Sequence, residues 1–263
     1  ANNYYPAVVG SPYPAGWTLA GAGNFDNAGS DELFLSNSRT GEFQWQQLLL
    51  HAFFVLGHPR YIFGATFSPV FNGPTGFVPS LADVNGDGYA DIVWTSPASN
   101  NNSVYLSINN QQGGFDTQQI VDRPAGFSLF GAGDVAGHGV TSLFWVNPSA
   151  NALTRWDMQG ADVSSQQTVS VPAGYTLASL ADYDGDGLVD LLWSARAQVG
   201  RTVLGPAHLY EWLSDGKGGF TTQTVANLDG TPLTVPAGAQ IQANRLQGGR
   251  VTSGLDTSTW ISH

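Results

Sequence analysis

The fold is decided by one stretch of the chain, Asp182-Tyr183-Asp184-Gly185-Asp186-Gly187-Leu188-Val189-Asp190-Leu191-Leu192-Trp193, in which an acidic loop runs directly into an apolar segment. Carboxylates occupy positions 1, 3, 5 and 9 of the loop, and its glycines allow a sharp reversal of the backbone. The apolar residues that follow suit a buried strand. The stretch therefore predicts a loop of fixed length that leads into the second strand of a hairpin.

The same pattern, Asp-x-Asx-x-Asp-Gly-x-x-Asp, stands at Asp83-Val84-Asn85-Gly86-Asp87-Gly88-Tyr89-Ala90-Asp91. Oxygen side chains at positions 1, 3, 5 and 9, with the carbonyl of position 7, can converge on a hard cation that takes about six to eight ligands. We therefore predict two calcium sites. Their ligands are Asp83, Asn85, Asp87, Tyr89 and Asp91 in one loop and Asp182, Asp184, Asp186, Leu188 and Asp190 in the other.

The pattern differs from an EF-hand, because position 12 is Trp94 or Trp193 rather than a bidentate Glu. The alternative to calcium is an Asx-turn loop in which water takes the place of the metal. Three related loops lack the full ligand set, and we expect them to be held by hydrogen bonds alone. They contain Asn24, Asp26 and Glu32 in the first unit, Asp134, His138 and Ser142 in the third, and Asn244 in the fifth.

A repeat surrounds these loops. Each of five units opens with Pro-x-Gly, at Pro14, Pro74, Pro124, Pro172 and Pro236. An Asx residue follows in each unit, and an apolar residue stands eleven positions after it. The Asx residues are Asn24, Asp83, Asp134, Asp182 and Asn244, and the apolar residues are Leu35, Trp94, Trp145, Trp193 and Leu255. This constant offset indicates a repeated strand–loop–strand module.

Within a unit the segments become more polar along the chain, from the apolar 174–180 to the polar 220–225. Four strands with a polar edge strand are typical of a propeller blade. The sequence thus predicts an all-β chain, a five-bladed β-propeller of four-stranded blades that forms a single domain over residues 1–263. Residues 1–13 are expected to supply the outer strand of the blade whose inner strands lie in 236–263, which would close the ring.

Two units are longer than the others. The first carries an insertion at 46–73, predicted as an enlarged connection between the third and fourth strands. The fourth unit carries one at 194–207, between the second and third strands. Each insertion is expected either to contribute a functional loop or to cover an edge or end of the ring.

Composition excludes several classes of function. The chain has a net charge of −11 and a single lysine, so it lacks the basic surface that nucleic acid requires. It has no cysteine, which excludes disulfides and thiolate metal sites. The most apolar segment, 48–63, is interrupted by His51, His58, Pro59 and Arg60, so no membrane span is expected.

The unit from Pro172-Ala173-Gly174-Tyr175 through the loop at 182–190 to Gly218-Gly219-Phe220 resembles the FG-GAP or VCBS repeat. It is similar to the units of integrin α-chain propellers and of bacterial and fungal propeller lectins. The resemblance covers the chain as five units, with the metal motif intact in two. It implies a propeller that holds calcium structurally in loops between the first and second strands of a blade.

The leading functional hypothesis is a secreted lectin-like protein that binds a glycan or glycoprotein. Tryptophan and tyrosine offer a face to the C–H surface of a sugar, and the abundant amide and hydroxyl groups suit its hydroxyls. The candidate ligand-binding residues are Trp45, Trp156 and Trp212, for which packing in the core is the alternative. Trp94, Trp145 and Trp193 share one strand position, which indicates packing between blades.

Two other hypotheses remain open. A protein-adhesion module is implied by the integrin-like resemblance. A polysaccharide-degrading enzyme would need paired carboxylates, yet the glutamates are limited to Glu32, Glu42 and Glu211, and no catalytic residue is predicted. An extracellular or periplasmic location is expected, since calcium loops of the weaker class fill only where calcium is abundant.

Overall fold

The computed structural model describes residues 16–26, 31–37, 39–55, 58–139, 141–199 and 202–236. Within these ranges the regular structure is β-strand, and no helix is present. No described segment is a helix long and apolar enough to cross a membrane. The predicted all-β class is confirmed.

The first sheet is an antiparallel meander in the order β1-β2-β3-β4. A short fifth strand, β5, pairs with the start of β3. The strands are β1 (Trp17–Gly23), β2 (Glu32–Asn37), β3 (Glu42–Val55), β4 (His58–Phe67) and β5 (Phe71–Asn72).

Three further sheets repeat this order. The second contains β6 (Val78–Ala82), β7 (Asp91–Thr95), β8 (Val104–Asn109) and β9 (Phe115–Gln119). The third contains β10 (Ser128–Gly133), β11 (Ser142–Asn147), β12 (Ala152–Gln159) and β13 (Asp162–Ser170). The fourth contains β14 (Tyr175–Ala181), β15 (Asp190–Val199), β16 (Thr202–Ser214) and β17 (Phe220–Thr224), with β18 (Thr234–Val235) paired to β16.

The first strands of successive sheets contact one another, β1 with β6, β6 with β10, and β10 with β14. Four of the five predicted units are therefore propeller-like antiparallel sheets with four strands in the predicted order, and the first and fourth sheets each carry one additional short strand. The predicted fifth blade and its closing strand lie in 237–263 and 1–13, outside the described residues. A closed ring of five blades stays a prediction.

The core lies between neighbouring sheets. Trp94, Trp145 and Trp193 are 0%, 0% and 2% exposed, and each packs in a cluster with side chains of the preceding sheet. The ring of Trp94 meets Phe43 of the first sheet edge-on at 4.9 Å. A Cβ on Gly73 would lie 2.4 Å from the same ring, so a glycine is needed there. The predicted packing of these three tryptophans between neighbouring units is confirmed.

Both insertions are strand extensions rather than loops, which corrects the sequence-based expectation. In 46–73 the hairpin of β3 and β4 continues in register from Gln46↔Phe67 to Val55↔His58. In 194–207 the hairpin of β15 and β16 continues to Val199↔Thr202. Continuous pairing supplies partners for backbone groups that a long loop would leave to solvent.

Candidate functional site

Both predicted metal loops connect the first and second strands of a sheet, as expected. One lies between β6 and β7, and the other between β14 and β15. In the second loop the Asp182 carboxylate accepts hydrogen bonds from Gly185 N at 2.7 Å and Gly187 N at 2.9 Å. The two glycines have φ of +84° and +88°, a conformation that side chains rarely adopt. The chain is thus wrapped around the first carboxylate of the motif.

Three carboxylates of this loop converge. Asp182, Asp184 and Asp190 each offer an oxygen, and these oxygens all lie within 4.8 Å of one another. Asp186, at position 5, accepts a hydrogen bond from Leu188 N at 2.8 Å, which fixes the turn that carries the predicted carbonyl ligand of Leu188. Hard oxygen donors at this spacing match the ligands that calcium takes.

Asp190 anchors the loop to the sheet. It is fully buried, and it accepts hydrogen bonds from Tyr183 N at 2.8 Å and Ser214 N at 2.7 Å. Burial raises the pKa of Asp190 to about 6, and the negative charges of Asp184 and Asp186 add to the rise. A cation among these carboxylates would offset the repulsion between them, which is the smaller cause of the raised pKa.

The loop at 83–91 has the same internal hydrogen bonds. Asp83 accepts from Gly86 N and Gly88 N, both at 2.8 Å. Burial raises the pKa of Asp83 above its ordinary value. At position 3 Asn85 replaces a carboxylate, and its amide nitrogen donates to Asp87 at 3.0 Å. This loop therefore offers one formal negative charge fewer than the loop at 182–190.

Position 9 of the same loop is Asp91, which is fully buried. Its carboxylate accepts from Val84 N at 2.9 Å and from Asn109 N at 2.8 Å, the start of the turn between β8 and β9. Burial raises the pKa of Asp91 to about 7. Tyr89, the predicted carbonyl ligand, is held by a 2.9 Å hydrogen bond from its N–H to Asp87. The two loops therefore share the same backbone hydrogen bonds, and the loop at 182–190 is the one in which three carboxylates are seen to converge among the described residues.

The first-unit loop lacks the full motif but keeps the position-9 carboxylate, Glu32, as an anchor for its backbone. Glu32 stands at position 9, is fully buried, and accepts a 2.7 Å hydrogen bond from Phe25 N. Val84 N makes the same contact with Asp91 in the second unit. In the sequence this anchor is visible as an acidic residue at position 9, counted from Asn24, in a loop that otherwise lacks the motif.

The third-unit loop is held by hydrogen bonds, as expected. Asp134 accepts from Gly137 N at 2.9 Å and Gly139 N at 2.7 Å. Ser142, at position 9, shares a 2.7 Å hydrogen bond with Asp157 of β12. A carboxylate from a neighbouring strand therefore stands beside the hydroxyl that replaces the position-9 acid.

The three candidate ligand-binding tryptophans lie in different environments. Trp156 is 0% exposed and packs against Trp145 at 4.7 Å, so its ring is not available to a ligand, and this candidate is corrected. Trp45 is half-buried and stacks on Phe25 at 6.2 Å. Trp212 is half-buried and lines a groove. The alternation of side chains along a strand does not predict which of the three tryptophans is exposed, because a sheet that lies between two others is covered on both faces.

The groove has a volume of about 310 Å³ and lies between the outer strands of the third and fourth sheets. One wall comes from β12 and β13 and includes Arg155, Gln167 and Val169. The other comes from β16, β17 and the turn between them and includes Trp212 and Phe220. This is a cleft with an aromatic wall and several hydrogen-bonding groups.

The three glutamates make separate local contacts. Glu32 is bonded to the backbone of its own loop, Glu42 accepts from Thr40 Oγ1 at 2.6 Å, and Glu211 accepts from Gln223 at 2.9 Å. None of these contacts joins one glutamate to another, and none of the three lines the groove.

Residues 75–107 match the FG-GAP repeat. The matched segment holds β6, the complete acidic loop at 83–91, β7 and most of β8. No curated protein matches the chain. Among solved structures the chain is similar to an exo-beta-1,3-galactanase from Phanerochaete chrysosporium crystallised with beta-1,3-galactotriose, at 14% identity and a TM-score of 0.37. The alignment covers 80% of this chain and 54% of that one, so this chain spans about half the length of the galactanase chain.

Proposed function

We propose that the chain is a secreted β-propeller, stabilised by two calcium ions, that binds carbohydrate. The observation that carries the proposal is the convergence of Asp182, Asp184 and Asp190, whose oxygens lie within 4.8 Å of one another in a loop with the full motif. The loop at 83–91 has the same backbone geometry around Asp83. Calcium would occupy both.

The role of calcium is structural. Asp190 and Asp91 are buried carboxylates that tie a loop to the next turn of the same sheet. A cation would offset their mutual repulsion with neighbouring carboxylates, and an ion that binds the folded state alone adds stability by mass action. Sites of the weaker extracellular class fill where calcium is millimolar, which favours a location outside the cytosol.

A five-bladed ring is the form of the propeller that we propose. Four sheets follow one strand order, and their first strands contact in sequence. The fourth sheet also carries an apolar cluster that includes Leu192, Leu209 and Val235. A fifth blade next to the fourth would pack on such a cluster in the way that the first four pack on one another.

Carbohydrate is the ligand class that the surface chemistry supports best. Trp45 and Trp212 keep part of their surface exposed, and amide and hydroxyl side chains lie on exposed positions of the outer strands. Aromatic faces and planar hydrogen-bonding groups are what a sugar ring requires.

A calcium-replete glycan array tests this proposal. We expect binding to at least one class of glycan, and we expect it to weaken after calcium is removed. Well-folded, calcium-loaded protein that binds no glycan would contradict the carbohydrate assignment.

A protein-interaction module is the second candidate. Leu228 is fully exposed at the tip of a tight turn, where Asn227 N donates to Thr231 O at 2.8 Å and holds the turn closed. A rigid, solvent-facing leucine suits an apolar pocket on a protein partner. Capture of a cell-envelope protein that free sugars do not displace, and that Leu228→Ser abolishes, would favour this candidate.

A further inference from the structure

The groove between the third and fourth sheets is built from two cross-strand pairs that face each other. Arg155 of β12 stands opposite Gln167 of β13, and Trp212 of β16 stands opposite Thr222 of β17. All four residues line the groove. Two sheets therefore each contribute one large planar side chain and one smaller polar side chain.

Trp212 is fixed before any ligand arrives. Its ring packs against Trp193 at 4.9 Å and against Phe220 at 6.2 Å, while part of its surface stays exposed in the groove. A ring held by packing loses little conformational freedom on binding. It offers the aromatic surface on which the C–H face of a pyranose can stack.

The groove also carries exposed polar side chains. Gln167 and Thr222 are exposed and come from opposite walls. A primary amide donates and accepts hydrogen bonds, and so does a hydroxyl. Together they can serve vicinal sugar hydroxyls, each of which is also both donor and acceptor.

The groove carries no unbalanced charge. Arg155 is the one ionisable residue among those that line it, and its side chain is 7% exposed. Its Nε lies 2.7 Å from Asp157 Oδ1, its Nη2 donates to Asp157 Oδ2 at 3.1 Å, and its Nη1 donates to Gly218 O at 2.5 Å. The ion pair neutralises the guanidinium, and the net charge of −11 disfavours an anion near the surface.

Glycines keep the groove open. Gly218 and Gly219, in the turn between β16 and β17, line it without side chains. A Cβ on Gly218 would lie 2.9 Å from Nη2 of Arg155, so a larger residue would displace the guanidinium. The volume of about 310 Å³ lies at the lower end of ligand sites, which suits one or two sugar rings.

We propose that this groove is the carbohydrate site, that Trp212 is its stacking platform, and that it takes a neutral rather than an acidic saccharide. The inference rests on the proposed function and names the ligand class and the place of binding.

Titration calorimetry with cellobiose, lactose and di-N-acetylchitobiose as neutral probes, and digalacturonate as the anionic probe, tests it. We expect at least one neutral disaccharide to bind the wild-type chain and digalacturonate not to compete. Trp212→Ala should weaken that binding about tenfold or more, and Gln167→Ala by a few-fold, as expected for loss of a stacking face and of one hydrogen bond. Trp17→Ala, at a half-buried tryptophan of the first sheet that does not line the groove, should leave it unchanged.

A steric variant covers the case in which Trp212→Ala unfolds. Thr222→Tyr fills the groove from an exposed strand position and should abolish binding, while Thr221→Tyr places the same side chain on the opposite face of β17 and should not. Wild-type protein that binds no saccharide would overturn the proposed function itself. If binding survives in both Trp212→Ala and Thr222→Tyr, the assignment of the groove as the binding site is wrong, while the proposed function stands. If digalacturonate binds preferentially, the assignment of a neutral saccharide is wrong.

Discussion

The backbone N–H of Val189 donates a 2.7 Å hydrogen bond to the carbonyl oxygen of Asp134 in the preceding sheet. Asp134 is position 1 of the third loop, and Val189 is position 8 of the fourth. The same two positions are joined between the first and second loops, where Ala90 N donates to Asn24 O at 2.6 Å. Successive loops therefore interlock at one end of the sheets.

The interlock extends to side chains. Asn24 donates through its amide to Gly88 O at 2.8 Å, and Thr141, position 8 of the third loop, donates through its hydroxyl to the carbonyl of Asp83. A loop without the full acidic motif thus still has a structural role, which is to hold the loop of the next unit. This explains why the eleven-residue offset persists in units whose acidic residues have diverged.

Gly133→Ala should destabilise the chain by about 1–3 kcal/mol, because overpacking of a tight interface costs that much. A Cβ at this position would lie 2.4 Å from Cγ2 of Val189. Thermal or urea unfolding measures the loss, and Gly114→Ala, where a Cβ meets only the end of the Asn110 side chain at 3.2 Å, is the matched control. The double variant Gly133→Ala with Val189→Ala should recover part of the stability that Gly133→Ala loses. If Gly133→Ala and Gly114→Ala were equally destabilising, the result would contradict the interlock.

Trp156→Ala should cost about 3–5 kcal/mol, because the side chain is fully buried against Trp145 in the layer between the second and third sheets. Trp45→Ala should cost less, since Trp45 is half-buried. Chemical denaturation gives both values. A Trp156→Ala variant of nearly wild-type stability would restore Trp156 as a ligand-binding candidate.

The sequence was sufficient for the repeat and for the loops, because both depend on local spacing. Glycines at positions 4 and 6 and carboxylates at positions 1 and 9 produce one backbone path at Asp83 and at Asp182. The long hairpins were missed, since the apolar run at 48–63 has no alternation to separate a paired strand from an insertion.

Contacts between units were beyond sequence reasoning. The hydrogen bond from Arg155 to Gly218 O joins the third unit to the fourth, and the one from Asn109 Nδ2 to Phe25 O joins the second unit to the first. Trp45, Trp156 and Trp212 look equivalent in the repeat, yet one is buried and two are half-exposed. The difference comes from which neighbouring sheet covers each face.

The metal-free protein should become more stable as the pH falls from about 7.5 to 5. Burial raises the pKa values of Asp91 and Asp190 from the ordinary 3.8 to about 7 and about 6, so the folded state binds protons more tightly than the unfolded state. Protonation of these two groups contributes to the free energy of unfolding. The contribution is complete below the pKa that the groups have in the unfolded chain, and it is lost as the pH rises through 6 and 7. Melting curves of calcium-stripped protein across this range measure it; a melting temperature that rises from pH 5 to 7.5 would contradict the raised pKa values.

Calcium in the loop at 182–190 should support the groove. Asp190 accepts from Ser214 N at 2.7 Å, and Ser214 precedes the turn that carries Gly218 and Gly219. Asp184→Ala should therefore weaken saccharide binding, whereas Asn85→Ala, in the loop of the second sheet, should not. Titration calorimetry of both variants in saturating calcium compares them, and equal losses would show that the groove responds to overall stability alone.

Metal content tests the central claim most directly. The protein is dialysed against calcium, and the ions bound to the intact chain are counted by native mass spectrometry. We expect two calcium ions on the wild-type chain and one on Asp184→Ala. The control Asp116→Ala, which removes an exposed carboxylate outside the loops, should still carry two. Wild-type protein that retains no calcium, and whose melting temperature is the same with and without chelator, would contradict the account.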